Sequence, residues 1–219
     1  MFAAQHEKQM STQTSTDGSS LQRAGFYADF ILCPLGITML LTYAWMLGPA
    51  LERAAFVVSF LVGAAGWTLA EYLLHRFFLH GVPMLRRSHL RHHAAPRALI
   101  GAPAWLSPSL AVTLFAVTDL LADATLASGA TAGVTLGYLV YVCIHYATHH
   151  LPSLRWGWLR RLRRAHALHH SSSTACNFGV SSRLWDALFG TGARRRSMEM
   201  PIPTQVNHGT SRSTGTDRD

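Results

Sequence analysis

Eleven of the 13 histidines in this 219-residue sequence fall into four short groups. A His-x2-His-His triplet is expected by chance about 0.05 times at this composition, yet two such triplets occur. Neutral imidazole is a ligand for iron, zinc, copper and nickel. The pattern predicts metal binding. Because ten or eleven imidazoles exceed what one ion can use, we expect two metals.

Helical spacing predicts how the histidines converge. Positions i, i+3 and i+4 share one helix face, so each triplet can direct several rings to one place. His145 and His149 also share a face, whereas His150 lies roughly 100° away and is expected to support the ligands. His75 and His80 are about 140° apart on a helix, so they reach different metals or the helix bends between them. The predicted ligands are His75, His80, His89, His92, His93, His145, His149, His166, His169 and His170.

Polar residues beside these groups are candidate supports. Glu71 lies one turn before His75, so it either orients the His75 ring, as metal-bound histidines require, or pairs with Arg76. Asn177 and Asp186 are candidate supports in residues 177–191. The apolar residues of that segment are expected to form a lid over the histidines: Phe178, Val180, Leu184, Trp185, Leu188 and Phe189.

The elements that must position the histidines are membrane helices. Four apolar stretches, residues 30–50, 54–74, 102–122 and 126–144, approach the roughly 20 residues that cross a bilayer. Charged residues make up only 14% of the chain, against about 25% in soluble domains. The net charge of +8 comes from basic residues that flank these stretches, which favours anionic lipid headgroups over nucleic acid as the partner.

The basic residues also predict topology. Of 19 Lys and Arg, two precede the first stretch, five lie between the second and third, and eleven follow the fourth, leaving Arg53 alone. By the positive-inside rule, both termini and the central loop are cytosolic. Gly129, Gly133 and Gly137 predict a close helix contact in the fourth stretch, or else mark flexible filler.

The predicted fold is all-α. Four transmembrane helices carry a cytosolic, histidine-rich helical cap in a domain of residues 26–192, between disordered tails at 1–25 and 193–219. Eighteen Arg against one Lys indicates a GC-rich bacterial genome, so the expected location is the bacterial inner membrane.

Five motifs carry a family resemblance: EYLLHRFFLH (71–80), HLRHH (89–93), HYATHH (145–150), HALHH (166–170) and NFGVSSRLWDALFGT (177–191). Over residues 54–191 the chain resembles the fatty acid hydroxylase superfamily, which includes sterol desaturases, fatty-acid 2-hydroxylases and carotenoid hydroxylases. The resemblance implies that the histidines bind two irons, for which zinc can substitute in purified protein. It also implies that O2 is the co-substrate for hydroxylation or desaturation of a lipid.

The third motif favours a fatty acyl chain as the substrate, because His145-x3-His149-His150 is similar to the fatty-acid 2-hydroxylases. Sterol or carotenoid oxidation is the alternative. The sequence has no Gly-rich dinucleotide fingerprint and no cysteine cluster, so a ferredoxin, b-type cytochrome or reductase is expected to supply electrons. The non-enzymatic alternative is a membrane protein that binds or transports metal.

Overall fold

A computed structural model describes residues 2–46, 49–99, 105–171 and 175–193, with side chains from residue 23 onward. Every regular element in these ranges is helical, as the predicted all-α fold requires. The second helix continues directly into a π-helical segment. The elements are α1 (Phe2–Met46), α2 (Ala50–Leu73), the π-helical segment (Leu74–Leu79), α3 (Pro83–Ala94), α4 (Leu106–Leu121), α5 (Ala124–His150), α6 (Gly157–Ser171) and α7 (Leu184–Leu188).

Three helices are long and apolar enough to cross a membrane: Arg23–Met46, Ala50–Leu79 and Ala124–His150. The fourth predicted span corresponds to α4, which is apolar but has only 16 residues. That is about 24 Å of helix against a hydrocarbon core of about 30 Å. The start of that predicted span, residues 102–104, lies outside the described residues. The described part of the chain therefore has three candidate membrane spans of full length, which indicates a membrane protein.

The predicted tails have different outcomes. Helix α1 begins at Phe2, so the structure shows no break at the expected end of an N-terminal tail. Residues 194–219 lie outside the described part. The domain boundaries stay a prediction.

Helices α2 and α5 approach each other closely, which confirms the predicted glycine contact. A Cβ on Gly133 would overlap the Phe60 carbonyl oxygen and lie 2.8 Å from the Ala64 nitrogen. A Cβ on Gly129 would lie 2.5 Å from the Phe56 carbonyl oxygen. Because only glycine leaves room for the facing backbone, this contact fixes the spacing between α5, which carries His145 and His149, and α2, which continues into the segment that carries His75.

A buried carboxylate attaches α1 and α4 to α5. The Asp29 Oδ1 atom accepts a hydrogen bond from Ser107 Oγ at 2.5 Å, and Oδ2 accepts one from Tyr138 Oη at 2.6 Å. Asp29 is almost fully buried. Ionisable residues within membrane segments are costly unless they have such partners, so this cluster holds three helices in one arrangement.

Arg163 fixes the connection between α5 and α6. Its Nη2 atom donates to the Leu151 carbonyl at 2.8 Å and to the Ala147 carbonyl at 3.3 Å, and Nη1 donates to the Leu154 carbonyl at 3.3 Å. These carbonyls lie at the C-terminal end of α5 and just after it, where a cation is favoured by the helix dipole. The arginine therefore sets the direction in which α6 leaves α5.

The glycine contact gives the first prediction. Gly133→Leu should lower the free energy of unfolding by at least about 1–3 kcal/mol, because the side chain must displace the α2 backbone. Unfolding in detergent, followed by circular dichroism, measures the change. Gly66→Leu is the matched control, since nothing lies within 4 Å of a Cβ there. Equal stability of the two variants would contradict the close contact.

Candidate metal centre

The histidines form two compact groups of five. Within each group, one ring nitrogen from every residue lies within 4.8 Å of those from the other four. The ten residues are the ten predicted ligands. The first histidine group comprises His75, His80, His89, His93 and His169, and the second comprises His92, His145, His149, His166 and His170.

The π-helical segment brings His75 and His80 into the same histidine group. Both belong to the first histidine group, and their ring centroids lie 5.2 Å apart. A π-helix bonds residue i to i+5, which places residues five apart one above the other. The expectation that the two reach different metals is therefore wrong. The alternative, a departure from α-helical geometry between them, is the one observed.

Each cap helix contributes to both groups. In α3, His89 and His93 join the first histidine group and His92 joins the second. In α6 the division is reversed, because His169 alone joins the first group. The groups are adjacent where the helices meet: the His93 and His170 rings stack with centroids 4.2 Å apart. Neither group can form without both α3 and α6.

Helix α5 supplies His145 and His149 to the second histidine group. Their Nε2 atoms are 3.2 Å apart, and His149 Nε2 is 2.9 Å from His166 Nε2. His150 belongs to neither group and stacks on Tyr146 at 4.6 Å. A supporting role for His150 stays a prediction.

Burial and close packing keep the imidazoles of α3 and α6 uncharged. Burial, followed by the repulsion of neighbouring histidines, lowers the pKa of His92 and of His170 to about 3. Burial and the nearby His93 lower the pKa of His169 to about 4. The pKa of His89 is lowered in the same direction, mainly by burial. These rings are neutral at pH 7, which is the state that binds metal.

Two backbone carbonyls orient rings of the first histidine group. His75 Nδ1 is 2.5 Å from the Phe178 carbonyl oxygen, and His169 Nδ1 is 2.7 Å from that of Cys176. With Nδ1–H donating to the carbonyl, the lone pair of Nε2 faces the other histidines. In the second histidine group, the buried Nδ1 atoms of His166 and His170 have no partner among the described residues.

Glu71 contacts the chain beyond α6 and not the His75 ring. Its Oε1 accepts hydrogen bonds from the Val180 nitrogen at 2.5 Å and the Ser181 nitrogen at 2.9 Å, and Oε2 accepts one from Ser181 Oγ. Arg76, its other predicted partner, donates to Tyr72 Oη at 2.7 Å. The carboxylate therefore binds the backbone N–H groups of Val180 and Ser181 and attaches the chain after α6 to α2.

Asp186 and Asn177 fold the segment that carries the two carbonyls, residues 176–193, here called the clasp. Asp186 accepts from the nitrogens of Phe178 at 2.9 Å and Gly179 at 2.8 Å. Asn177 adopts a positive φ of 53°, and its Nδ2 atom donates to the Ala165 carbonyl of α6 at 3.1 Å. Both side chains act on the clasp and contact none of the ten histidine rings directly.

The predicted apolar lid is only partly correct. Phe178 and Val180 are buried, whereas Leu184, Leu188 and Phe189 are 53%, 65% and 52% exposed. These three residues lie on or beside α7, which packs on the apolar helix α2 through a hydrogen bond from Trp185 Nε1 to Thr68 Oγ1. Their exposed surface suits contact with lipid better than contact with protein.

A family model for fatty acid hydroxylases matches residues 60–191, which is more than half of the chain. The chain belongs to the fatty acid hydroxylase family. The match contains all ten clustered histidines and most of the clasp. It confirms the resemblance predicted from the five motifs.

The chain is similar to several named hydroxylases. It is 32% identical over 152 residues to fatty acid 2-hydroxylase of Rattus norvegicus, covering 64% of this chain and 40% of that protein. It is 30% identical over 154 residues to a dihydroceramide fatty acyl 2-hydroxylase of Arabidopsis thaliana, covering 66% and 63%. The chain thus spans about two fifths of the length of the mammalian relatives it matches.

One solved structure has the same fold. Full-length scs7p, of which only the hydroxylase domain is visible, matches with a TM-score of 0.66 and 25% identity, covering 80% of this chain and 68% of that one. Three features around the histidines of the present chain were not predicted from its sequence. They are the Phe178 carbonyl, the Cys176 carbonyl and the Arg163 contacts that connect α5 to α6. Every residue has a carbonyl, so no residue type could have indicated the first two.

The clasp gives the second prediction. Asp186→Asn should lower the metal content of the purified protein, because the amide turns an N–H donor towards the Phe178 or Gly179 nitrogen and displaces the Phe178 carbonyl. A change in the residues that orient ligands typically lowers metal affinity by about 10–100-fold. Plasma mass spectrometry of protein dialysed against a weak chelator measures it. The control is Asp119→Asn on the exposed face of α4, and equal metal content in both variants would count against the clasp.

Proposed function

We propose that this chain is a membrane-bound lipid hydroxylase that uses O2 and two metal ions held by the ten clustered histidines. The supporting observation is the pair of adjacent five-histidine groups at the ends of two apolar helices. Two separate sets of five imidazoles suit two ions better than one. The match to the fatty acid hydroxylase family favours an enzyme over a metal storage or transport protein.

Iron is the proposed metal, and when bound it would supply the O2 chemistry that attacks a lipid C–H bond. The donor set fits, since each group offers neutral imidazole nitrogens and imidazole suits iron. Zinc binds the same ligands and is expected as a substitute in purified protein. The chain's own residues hold the rings: the Phe178 and Cys176 carbonyls accept the Nδ1 protons of His75 and His169.

A fatty acyl chain is the proposed substrate, oxidised near its headgroup end. The histidines lie where the apolar parts of α2 and α5 end, so the metals are expected near the membrane surface. Carbons close to a headgroup already lie at that depth, whereas a terminal methyl group would have to bend back by roughly 15 Å. The relatives named fatty acid 2-hydroxylase and dihydroceramide fatty acyl 2-hydroxylase support the same choice.

The third prediction tests this function. His149→Ala should lose the second metal and abolish lipid hydroxylation, because it removes a ring from the second histidine group. Metal content is measured by plasma mass spectrometry, and lipids from expressing cells are analysed by mass spectrometry. His208→Ala, outside the four histidine groups, is the control and should keep both metals. Hydroxylated lipid in the His149→Ala cells, or oxygen only at the chain terminus, would contradict the proposal.

Both termini and the α3 region are proposed to be cytosolic, because 18 of the 19 basic residues lie in those parts of the sequence. The bacterial inner membrane remains the proposed location on the arginine-rich composition, although the named relatives come from eukaryotes.

The fourth prediction concerns this topology. In a chain whose three cysteines are replaced by alanine, a cysteine at Ser88 should react with a membrane-impermeant maleimide only after cells are opened. A cysteine at Ala122, between α4 and α5, should react in intact cells. Labelling in the opposite order would overturn the orientation.

A further inference from the structure

An open cleft leads from the protein surface to the second histidine group. It consists of two adjoining cavities of about 420 and 210 Å³ that share Pro96, Thr148 and His149. The smaller cavity also reaches His166 and His170. His149 and His170 are partly exposed and can therefore be approached from outside, whereas His166 is buried and His75 and His169 of the first group are covered by the clasp.

Among the described residues, the cleft is bordered by arginines and by no carboxylate. Arg97 lines the larger cavity and Arg163 the smaller one. Arg91, Arg160 and Arg164 are exposed on the two cap helices. Residues 72–118 and 124–185 contain no Asp or Glu, so α3, α5 and α6 carry no acidic residue to neutralise these charges. The surface around the cleft is therefore strongly positive.

The exposed side of α6 runs from the cleft round to an aromatic edge. Arg160 is seven residues before Ala167, which lines the cleft, so the two residues share one face of the helix. Arg161 lies about 100° round the helix from Arg160, next to Trp158, which is 52% exposed. Aromatic residues beside arginine are typical of a membrane interface. The Arg160 side of α6 therefore borders the cleft, whereas the Arg161 side is suited to lipid.

We propose that this arginine cleft docks the acidic surface of a one-electron carrier protein, which reduces the metal centre through the edges of His149 and His170. The inference rests on the proposed function. Hydroxylation of a C–H bond by O2 forms one C–O bond and one water, and it consumes two electrons and two protons from outside. A one-electron carrier must therefore dock twice per turnover, and charge complementarity accelerates such brief encounters.

Small residues at the cleft favour a protein over a lipid acyl chain. Ala95, Pro96 and Ala98 line the larger cavity, and their short side chains cannot enclose an acyl chain. The large exposed apolar residues of this region, Trp156 and Trp158, lie outside both cavities and stack on each other at 6.0 Å. The cleft is a shallow basic surface with the rings of His149 and His170 at its base. Such a surface suits a protein partner, because an electron carrier needs only to come close to these rings.

Binding to two acidic probes tests the proposal: a plant-type [2Fe–2S] ferredoxin and the soluble domain of a b-type cytochrome. The metal-loaded protein is held in nanodiscs of neutral lipid, and the dissociation constant is measured by interferometry. At low salt, Arg160→Glu should raise this constant by about tenfold, with the difference largely screened at about 0.5 M salt. Arg161→Glu, on the aromatic side of the same helix, changes net charge equally and should raise it less than threefold.

Several outcomes would overturn the docking site. The first is that neither probe binds, and the second is that the two substitutions have equal effects. The third is that Arg160→Glu weakens binding to anionic vesicles and leaves binding of both probes unchanged. Metal content and unfolding temperature show whether each variant is folded. A single turnover tests the proposed function separately, because it requires no carrier: the wild-type protein is reduced with dithionite, freed of excess reductant and then exposed to O2.

Discussion

The arrangement depends on keeping ten imidazoles uncharged and close together. Ring nitrogens only about 3 Å apart repel if protonated, and burial adds a further cost to each charge. The low pKa values of His92, His169 and His170 follow from this environment. A site of this kind is stable only at a pH where the rings are neutral, and a bound cation would relieve the crowding of their lone pairs. The glycine contact and the clasp serve to hold that crowded set in place.

The histidines that follow α2 and those at the end of α5 reach the site through two different helix geometries. His145 and His149 use the ordinary i, i+4 spacing at the end of α5, so a regular helix suffices. His75 and His80 are five residues apart, and α2 changes to a π-helix over Leu74–Leu79 to align them. A π-turn has poorer backbone geometry than an α-helix and is found mostly at functional sites. The π-helical segment contains His75 and ends next to His80. Its position therefore indicates that the placement of these two rings, and not helix propensity, determines the backbone there.

The sequence allowed the all-α fold class, the ten clustered histidines and a close helix contact at the glycines of α5 to be predicted, because each depends on residue type at a regular spacing. It did not indicate that α2 is the partner in that contact. The partner of Glu71 could not be predicted in the same way. Its carboxylate accepts hydrogen bonds from backbone nitrogens 109 and 110 residues away, and any residue type can supply such a nitrogen. The division of each triplet between the two groups was also hidden, since His89, His92 and His93 share one helix face whichever metal they bind. Only the placement of α3 relative to α6 assigns His89 and His93 to one group and His92 to the other.

The two histidine groups differ in what surrounds them. In the first, the clasp supplies carbonyl acceptors to His75 and His169 and attaches to α2 through Glu71. In the second, His166 and His170 have buried Nδ1 atoms without a partner in the described part, and the cleft reaches their rings. An oriented ring is a stronger donor and a more rigid one. Two metals bound here would therefore be inequivalent, one firmly held beneath the clasp and the other more accessible from the cytosolic side of the proposed topology.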